Sequence, residues 1–192
     1  MHIHANYTSP HHQVIEPRDV RLQVEGEGLN YANMMVANSS GAFIHDREYF
    51  EAKPHRLSSP EHFIYWNEEN RSSAYGHMCF MGLKKLVEPF YNGFRNTPYW
   101  DDYPANYELA RQVFEQGGAV SYAHPGMQPV FEGASIRELP VDLALGQKTA
   151  MDVLSNNDEV ATTEMWYRLL NCGFRVAISA GTDAFTNVVD HY

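Results

Sequence analysis

PANYELARQVFEQGGAVSYAHPG, residues 104–126, contains one complete cycle of the rule that organises this chain. After Pro104 the apolar residues Leu109, Ala110, Val113 and Phe114 fall at helical spacing as far as Gln116. Gly117-Gly118 stops that helix, Ala119 to Ala123 reads as a strand, and His124-Pro125-Gly126 follows at the strand's carboxyl end. The order is helix, glycine stop, strand, functional loop.

The same rule extends in both directions. Upstream, Glu16-Pro17 opens a helix running to about Gly26, with proline in the first turn, and Leu29 to Ala37 reads as an apolar strand. Phe63 to Trp66 and His77 to Met81 read as two strands flanking a polar turn from Asn67 to Gly76. Downstream, Ala150 to Leu154 is a short strand. Asp158 to Cys172 is a helix with Val160, Ala161, Met165, Leu169 and Leu170 on one side. Gly173 ends it, and Arg175 to Ala180 is a strand delivering Gly181-Thr182-Asp183. Strands alternating with helices favour a parallel sheet, so the expected fold is α/β, a distorted barrel incomplete at both ends. The stretches Ser40 to Glu61 and Asn92 to Tyr103 read as loops over its mouth.

Composition sets the outer limits. The 192 residues, 44% hydrophobic and 13% aromatic, suit one globular domain covering residues 1–192. A formal charge of −10 argues against wrapping duplex nucleic acid and leaves a small molecule as the expected partner. No run of about 18 apolar residues suggests a membrane span. Cys79 and Cys172 are far apart in sequence and read as buried free thiols, without a disulfide framework. Met1 stands directly against His2, and the chain stops at Asp190-His191-Tyr192 soon after Asp183, so a fragment of a longer protein is expected.

Six potential metal ligands sit at expected strand ends: His2 and His4 in His-Ile-His, then Glu69, His77, His124 and Asp183. Alternation along a strand points residues i and i+2 to one side, so His2 and His4 can share one ion. Singly, each has an ordinary alternative. His77 would be a satisfied strand residue, and Asp183 a cap for a following helix. His45, His55, His62 and His191 fall outside the pattern and are assigned to loops. Asp101-Asp102 and Asn157-Asp158-Glu159 read as helix starts or solvated faces.

The order His-x-His, Glu with Gly-His further on, a strand ending in His-Pro and a strand ending in Gly-Thr-Asp resembles the PHP superfamily, named for polymerase and histidinol phosphatase domains. Residues 4–7 (HANY), 68–71 (EENR), 138–142 (ELPVD), 166–173 (WYRLLNCG) and 181–185 (GTDAF) are similar to its CehA/McbA-type, carbaryl-hydrolase-like metallohydrolases. The resemblance implies a distorted seven-stranded (β/α) barrel with metals at the carboxyl ends of its strands. On this chain, His2, His4 and Asp183 would hold one metal, Glu69 would bridge, and His77 and His124 would hold a second. Glu69, Asp183 and His124 are then the expected catalytic residues, with Glu68 the rival bridging group. Asn6, Tyr7 and Arg71 are the candidates for contacting substrate. Asn6 could instead cap the turn, Tyr7 could pack, and Arg71 could pair with Glu68. Two histidines of the family's third metal site are replaced here, by the Ala37-Asn38-Ser39 stretch and by Phe185, which leaves a two-metal centre. His11 and His12 are possible remnants of that site.

The expected cofactors are therefore two divalent ions, Zn, Mn or Fe. About 3.5–4 Å apart, such ions can bridge a hydroxide at neutral pH and polarise a scissile oxygen. The chain has no nucleophile elbow, P-loop or dinucleotide fingerprint. A metal-dependent hydrolase of an ester, carbamate or phosphoester is expected. The competing reading is a non-catalytic binding domain on the same barrel, with structural or absent metal. A structural metal is usually fully ligated by protein, whereas this set leaves room for water, which favours the enzyme. Only Arg71 stands next to a ligand in sequence, which tilts the reading slightly away from phosphate.

Overall fold

The computed structural model describes residues 2–6, 14–39, 43–126, 137–155 and 158–186. Along the chain run β1 (Ile3–His4), α1 (Pro17–Gly26), β2 (Tyr31–Ser39), β3 (Phe43–His45), β4 (Phe63–Ser72), β5 (Gly76–Met81), β6 (Tyr91–Asn92) and α2 (Asn106–Glu115). They continue with β7 (Ala119–Tyr122), α3 (Leu139–Ala144), β8 (Ala150–Leu154), α4 (Glu159–Asn171), β9 (Ile178–Ala180) and β10 (Ala184–Phe185). A single turn of 3-10 helix spans Arg47–Tyr49.

One sheet collects every strand, in the order β10-β1-β2-β4-β5-β7-β8-β9, with β3 added to β2 and β6 to β4. It curls: residues of β2, β5, β7, β8 and β9, together with His2, line one interior cavity. This is a mixed α/β half-barrel with eight strands in its main path. The expected seven-stranded (β/α) barrel differs from it in two respects. β5 runs antiparallel to both of its neighbours, β4 and β7, while the other pairs along the path are parallel. The cause is local: Ser73 to Tyr75 is too short for a crossover helix, so the chain turns straight back as a hairpin. β9 and β10, joined only by Gly181-Thr182-Asp183, also stand at opposite ends of the path.

The expected polar turn over Asn67 to Gly76 is a strand as far as Ser72. Its polar side chains find buried partners, which removes the cost of placing them in a sheet. Asn67 bonds Asn33, Asn70 Nδ2 donates to the Pro89 carbonyl at 2.6 Å, and Glu68 accepts from the Val87 amide. The expected loop after Ser40 contains β3, and the expected loop after Asn92 begins at the last residue of β6.

α2 buries Leu109, Ala110 and Val113 against β5 and β7, joining Phe80, Val120 and Tyr122 in one apolar cluster. Full burial of a Leu or Phe side chain stabilises the fold by about 1.5–3 kcal/mol. Gly117, at φ +83°, ends the helix, and Gly118 leaves no room for a side chain: a Cβ there would lie 2.7 Å from the Met81 carbonyl. A second cluster packs α1, through Val20 and Val24, onto Ile3, Met34, Val36 and Trp66. The inner face, by contrast, carries Met35, Ala37, Cys79 and Ala123 below the polar groups at the strand ends. Cys79 is buried as expected. Cys172 is exposed, because it caps the carboxyl end of α4 beyond the packed face.

Two further carboxylates acquire structural roles. Glu138 accepts from the amides of Asn106 (2.9 Å) and Tyr107 (3.2 Å), closing the amino end of α2. Asp142, on α3, accepts from the Tyr122 hydroxyl at 2.9 Å. Among the described residues, no helix is long and apolar enough to cross a membrane.

Candidate metal centre

Ile3 pairs with Met34 on one side and Ala184 on the other, and its side chain joins the outer apolar cluster. Alternation then turns His2 and His4 inward, each 1% exposed, with their Nε2 atoms 2.8 Å apart. Asp183 precedes β10 in a left-handed conformation, φ 51°. Its Oδ1 lies 3.4 Å from His2 Nε2 and 3.3 Å from His4 Nε2. A strand, not a helix, follows Asp183, so the helix-cap alternative falls away.

Glu69, on β4, lies between two groups of imidazoles. Its Oε2 is 3.4 Å from His4 Nε2, and its Oε1 is 3.8 Å from His2 Nε2, 3.0 Å from His77 Nδ1 and 3.5 Å from His124 Nε2. Because β5 is antiparallel, its first turn of chain, with His77, meets the carboxyl ends of the parallel strands. His124 follows β7 with φ 31°, and its Nε2 is 3.3 Å from His77 Nδ1 and 3.8 Å from Asp183 Oδ2. Left-handed backbone is costly for side-chain-bearing residues, and here it occurs at two members of one cluster. All six sequence-derived ligand candidates thus converge.

The donor set is of a kind that could hold divalent metal. Ligand bonds of about 2.0–2.2 Å in a tetrahedral arrangement separate donor atoms by roughly 3.3–3.6 Å, close to most separations given above. His2 Nε2, His4 Nε2, Asp183 Oδ1 and Glu69 Oε2 could hold one ion, and His77 Nδ1, His124 Nε2 and Glu69 Oε1 a second. Glu69 Oε2 is buried and makes no well-formed hydrogen bond among the described residues, with His4 Nε2 3.4 Å away, as suits a metal-ligating atom.

The electrostatics pair two ionised carboxylates with the imidazoles around them. Burial alone would raise the Glu69 carboxyl, but the surrounding imidazoles of His2, His124 and His4 hold it well below the usual carboxylate range. Asp183 is likewise lowered, against its desolvation, by His4 and His2. His4 is fully enclosed, which would lower it, yet hydrogen bonds to Asp183 and Glu69 raise it to about 9. His124 moves up for the same kind of reason, through Glu69. Burial lowers His77 to about 4 despite Glu69, leaving a neutral imidazole suited to ligation.

A pocket of about 300 Å³ opens over His77 and His124, with Arg71, Arg137, Phe94 and Tyr122 in its wall. Arg71 does not pair with Glu68, which faces the other side of the sheet. Its guanidinium donates to the Asn38 carbonyl at 2.8 Å and lies over the Phe94 ring at 5.7 Å. Arg137 is the residue that sequence reasoning missed, since it belongs to none of the motifs and stands thirteen positions beyond His124. Gly76 makes room for it: a Cβ there would meet Arg137 Cγ at 2.9 Å.

The remaining candidates divide. Asn6 Nδ2 donates to the Ile15 carbonyl (2.8 Å) and Asp46 Oδ1 (2.6 Å), and its Oδ1 accepts from the Ile15 amide (2.7 Å). That is the turn-capping alternative, with the amide held away from substrate. Tyr7, His11, His12 and His191 lie outside the described residues. Phe185 stacks on His4 at 5.3 Å. His45, assigned to a loop from sequence, is instead a buried residue of β3, and His55 is buried against Trp66. Burial, then the His4 charge, lowers the His45 imidazole. Compared with models of known protein families and with curated protein sequences, the chain matches none.

Proposed function

We propose that this protein is a metal-dependent hydrolase that cleaves an ester, carbamate or phosphoester of a small molecule. The observation that carries the reading is the meeting of four imidazoles and Asp183 around Glu69, whose Oε2 faces His4 and whose Oε1 faces His77, His124 and, further off, His2. His2, His4 and Asp183 would hold one divalent ion and His77 and His124 the other, with Glu69 shared and Zn, Mn or Fe all suited to the ligand types. Such a pair supplies hydroxide at neutral pH and polarises the scissile oxygen.

The chain's own residues do the rest. Arg71 and Arg137 offer guanidinium donors to an anionic oxygen of the substrate beside His77, and the Phe94 ring presents an apolar face to a leaving group. The second arginine removes the reason for tilting away from phosphate, because it doubles the positive charge at the pocket wall. Asp183 and Glu69, held ionised, keep the centre able to accept cations without a competing proton of their own.

The test is elemental analysis of the purified protein, followed by assays on aryl esters, aryl carbamates and aryl phosphates. About two metals per chain and turnover lost in His124→Ala but kept in Lys84→Ala are expected. Equal activity in the two variants, or no metal retained after loading with Zn or Mn, would overturn the reading.

A further inference from the structure

Beneath the ligand cluster, on the inner face of the curled sheet, lies a small cavity of about 30 Å³, walled by His2, Asn33, Cys79, Ser121, Asp152 and Ser179. None of the last four belongs to the centre described above. A water needs at least roughly 10–15 Å³ and two or more polar partners, so this space can hold one. His2 contributes its second ring nitrogen to this layer. Its Nε2 faces His4 and Asp183, and its Nδ1 is buried with no hydrogen-bond partner among the described residues.

Asp152, on β8, is 3% exposed. Its Oδ1 accepts from Ser121 Oγ at 3.0 Å and from Ser179 Oγ. Its Oδ2 and the His2 side chain flank Gly181, where a Cβ would meet Asp152 Oδ2 at 2.6 Å and His2 Cβ at 2.8 Å. Donor atoms of His2, Cys79 and Asp152 all lie within 4.8 Å of one another.

An imidazole can offer the Nε2 lone pair only when its proton sits on Nδ1, and the group facing Nδ1 decides which tautomer forms. A carboxylate accepts and cannot donate, so it favours one tautomer alone. We propose that Asp152 is a positioning residue: through one water in this cavity, it accepts the Nδ1–H of His2 and fixes the tautomer that presents Nε2 to the metal-ligand cluster. Ser121 and Ser179 hold Oδ1 and so aim Oδ2 toward His2. The assignment concerns His2 of the proposed metal centre, and so its link to metal affinity rests on that reading. The tautomer itself does not.

Asp152→Asn provides a sharp contrast. The two serine hydroxyls keep the amide oxygen in the place of Oδ1, which turns the NH2 toward His2. That amide donates, so it favours the tautomer with the proton on Nε2.

The experiment is long-range proton–nitrogen NMR of the full, metal-free, nitrogen-15-labelled chain at mildly alkaline pH, with calorimetric titration of zinc alone. The parent is expected to show His2 protonated on Nδ1, and Asp152→Asn to shift the proton to Nε2 and weaken zinc binding about 10- to 100-fold. Ser179→Ala, which keeps the carboxylate, is expected to retain the parent tautomer. A parent with the proton on Nε2, or an unchanged tautomer in Asp152→Asn, overturns the proposal, and the first of these needs no variant to fold. Loss of a bound metal in Cys79→Ser also overturns it, since the cavity would then be a metal site. A parent that binds no zinc but loses the Nδ1 proton on substitution upholds Asp152 and refutes the metal centre instead.

Discussion

Glu68 and Glu69, adjacent on β4, face opposite sides of one sheet. Glu69 meets His4, His77 and His124, while Glu68 Oε2 accepts from the Val87 amide at 2.7 Å on the outer, apolar side. One residue of register separates an acid that cations hold ionised from an acid that burial pushes well above the carboxylate range.

The two glutamates should therefore respond oppositely to the same isosteric change. Glu69→Gln removes the shared ligand and is expected to lose at least one metal per chain by elemental analysis while remaining folded. Glu68→Gln keeps an acceptor for Val87 and removes a group whose raised folded pKa favours the native state only at low pH. The parent should lose stability as pH rises above the ordinary glutamate range, and Glu68→Gln should melt higher than the parent in mildly alkaline buffer. A lower melting temperature for Glu68→Gln there would refute this account of the pair.

Metal uptake should release protons. With its folded-state value at about 9, the metal-free His4 imidazole is protonated at neutral pH, and a metal must displace that proton. One displaced proton weakens apparent binding by about tenfold for each pH unit below that value. The same shift has a sign for folding. The metal-free chain gains stability from His4 fully below 6.5, and loses it as pH rises through about 9. Calorimetric titrations in buffers of different ionisation heat measure the proton count, and a pH-independent affinity would contradict it.

Much of this was legible in the sequence, for identifiable reasons. The helix, glycine and strand cycle of residues 104–126 is local chemistry, and it recurs as α2, Gly117 and β7 almost at the expected boundaries. The six ligand candidates were legible from the order of their motifs, although Glu69 stands within β4 and not at the end of a strand as expected. What stayed hidden depended on partners distant in sequence. Asn67, Asn70 and Glu68 read as a turn because their buried partners, Asn33, Pro89 and Val87, lie far along the chain. The antiparallel course of β5 follows from the brevity of one hairpin, and Arg137 reaches the pocket only across the fold, over Gly76.

Gly118 tests the packing of α2 on β5. A Cβ would lie 2.7 Å from the Met81 carbonyl and 2.8 Å from Val113 Cγ1, and the carbonyl belongs to the sheet and cannot swing aside. Gly118→Ala is expected to cost about 1–3 kcal/mol in urea denaturation, as overpacking does. Gly146→Ala, with open space around its Cβ but a φ of +91°, isolates the cost of backbone strain alone. Equal losses in the two would mean that steric crowding at Gly118 contributes nothing.

Arg71 and Arg137 should separate by what else each holds. Arg71 ties β4 to β2 through the Asn38 carbonyl, so Arg71→Ala should lower both melting temperature and turnover. Arg137 lines the pocket with its side chain against Gly76, and Arg137→Ala is the variant to read by substrate. Its effect should fall on substrates carrying an anionic oxygen, as a rise in KM of about 10- to 150-fold, the loss of roughly one charge-assisted hydrogen bond of 1.5–3 kcal/mol. A neutral aryl ester lacks that oxygen and should be hydrolysed by Arg137→Ala at the parent rate. Equal losses on neutral and anionic substrates would mean that Arg137 shapes the pocket and does not bind charge.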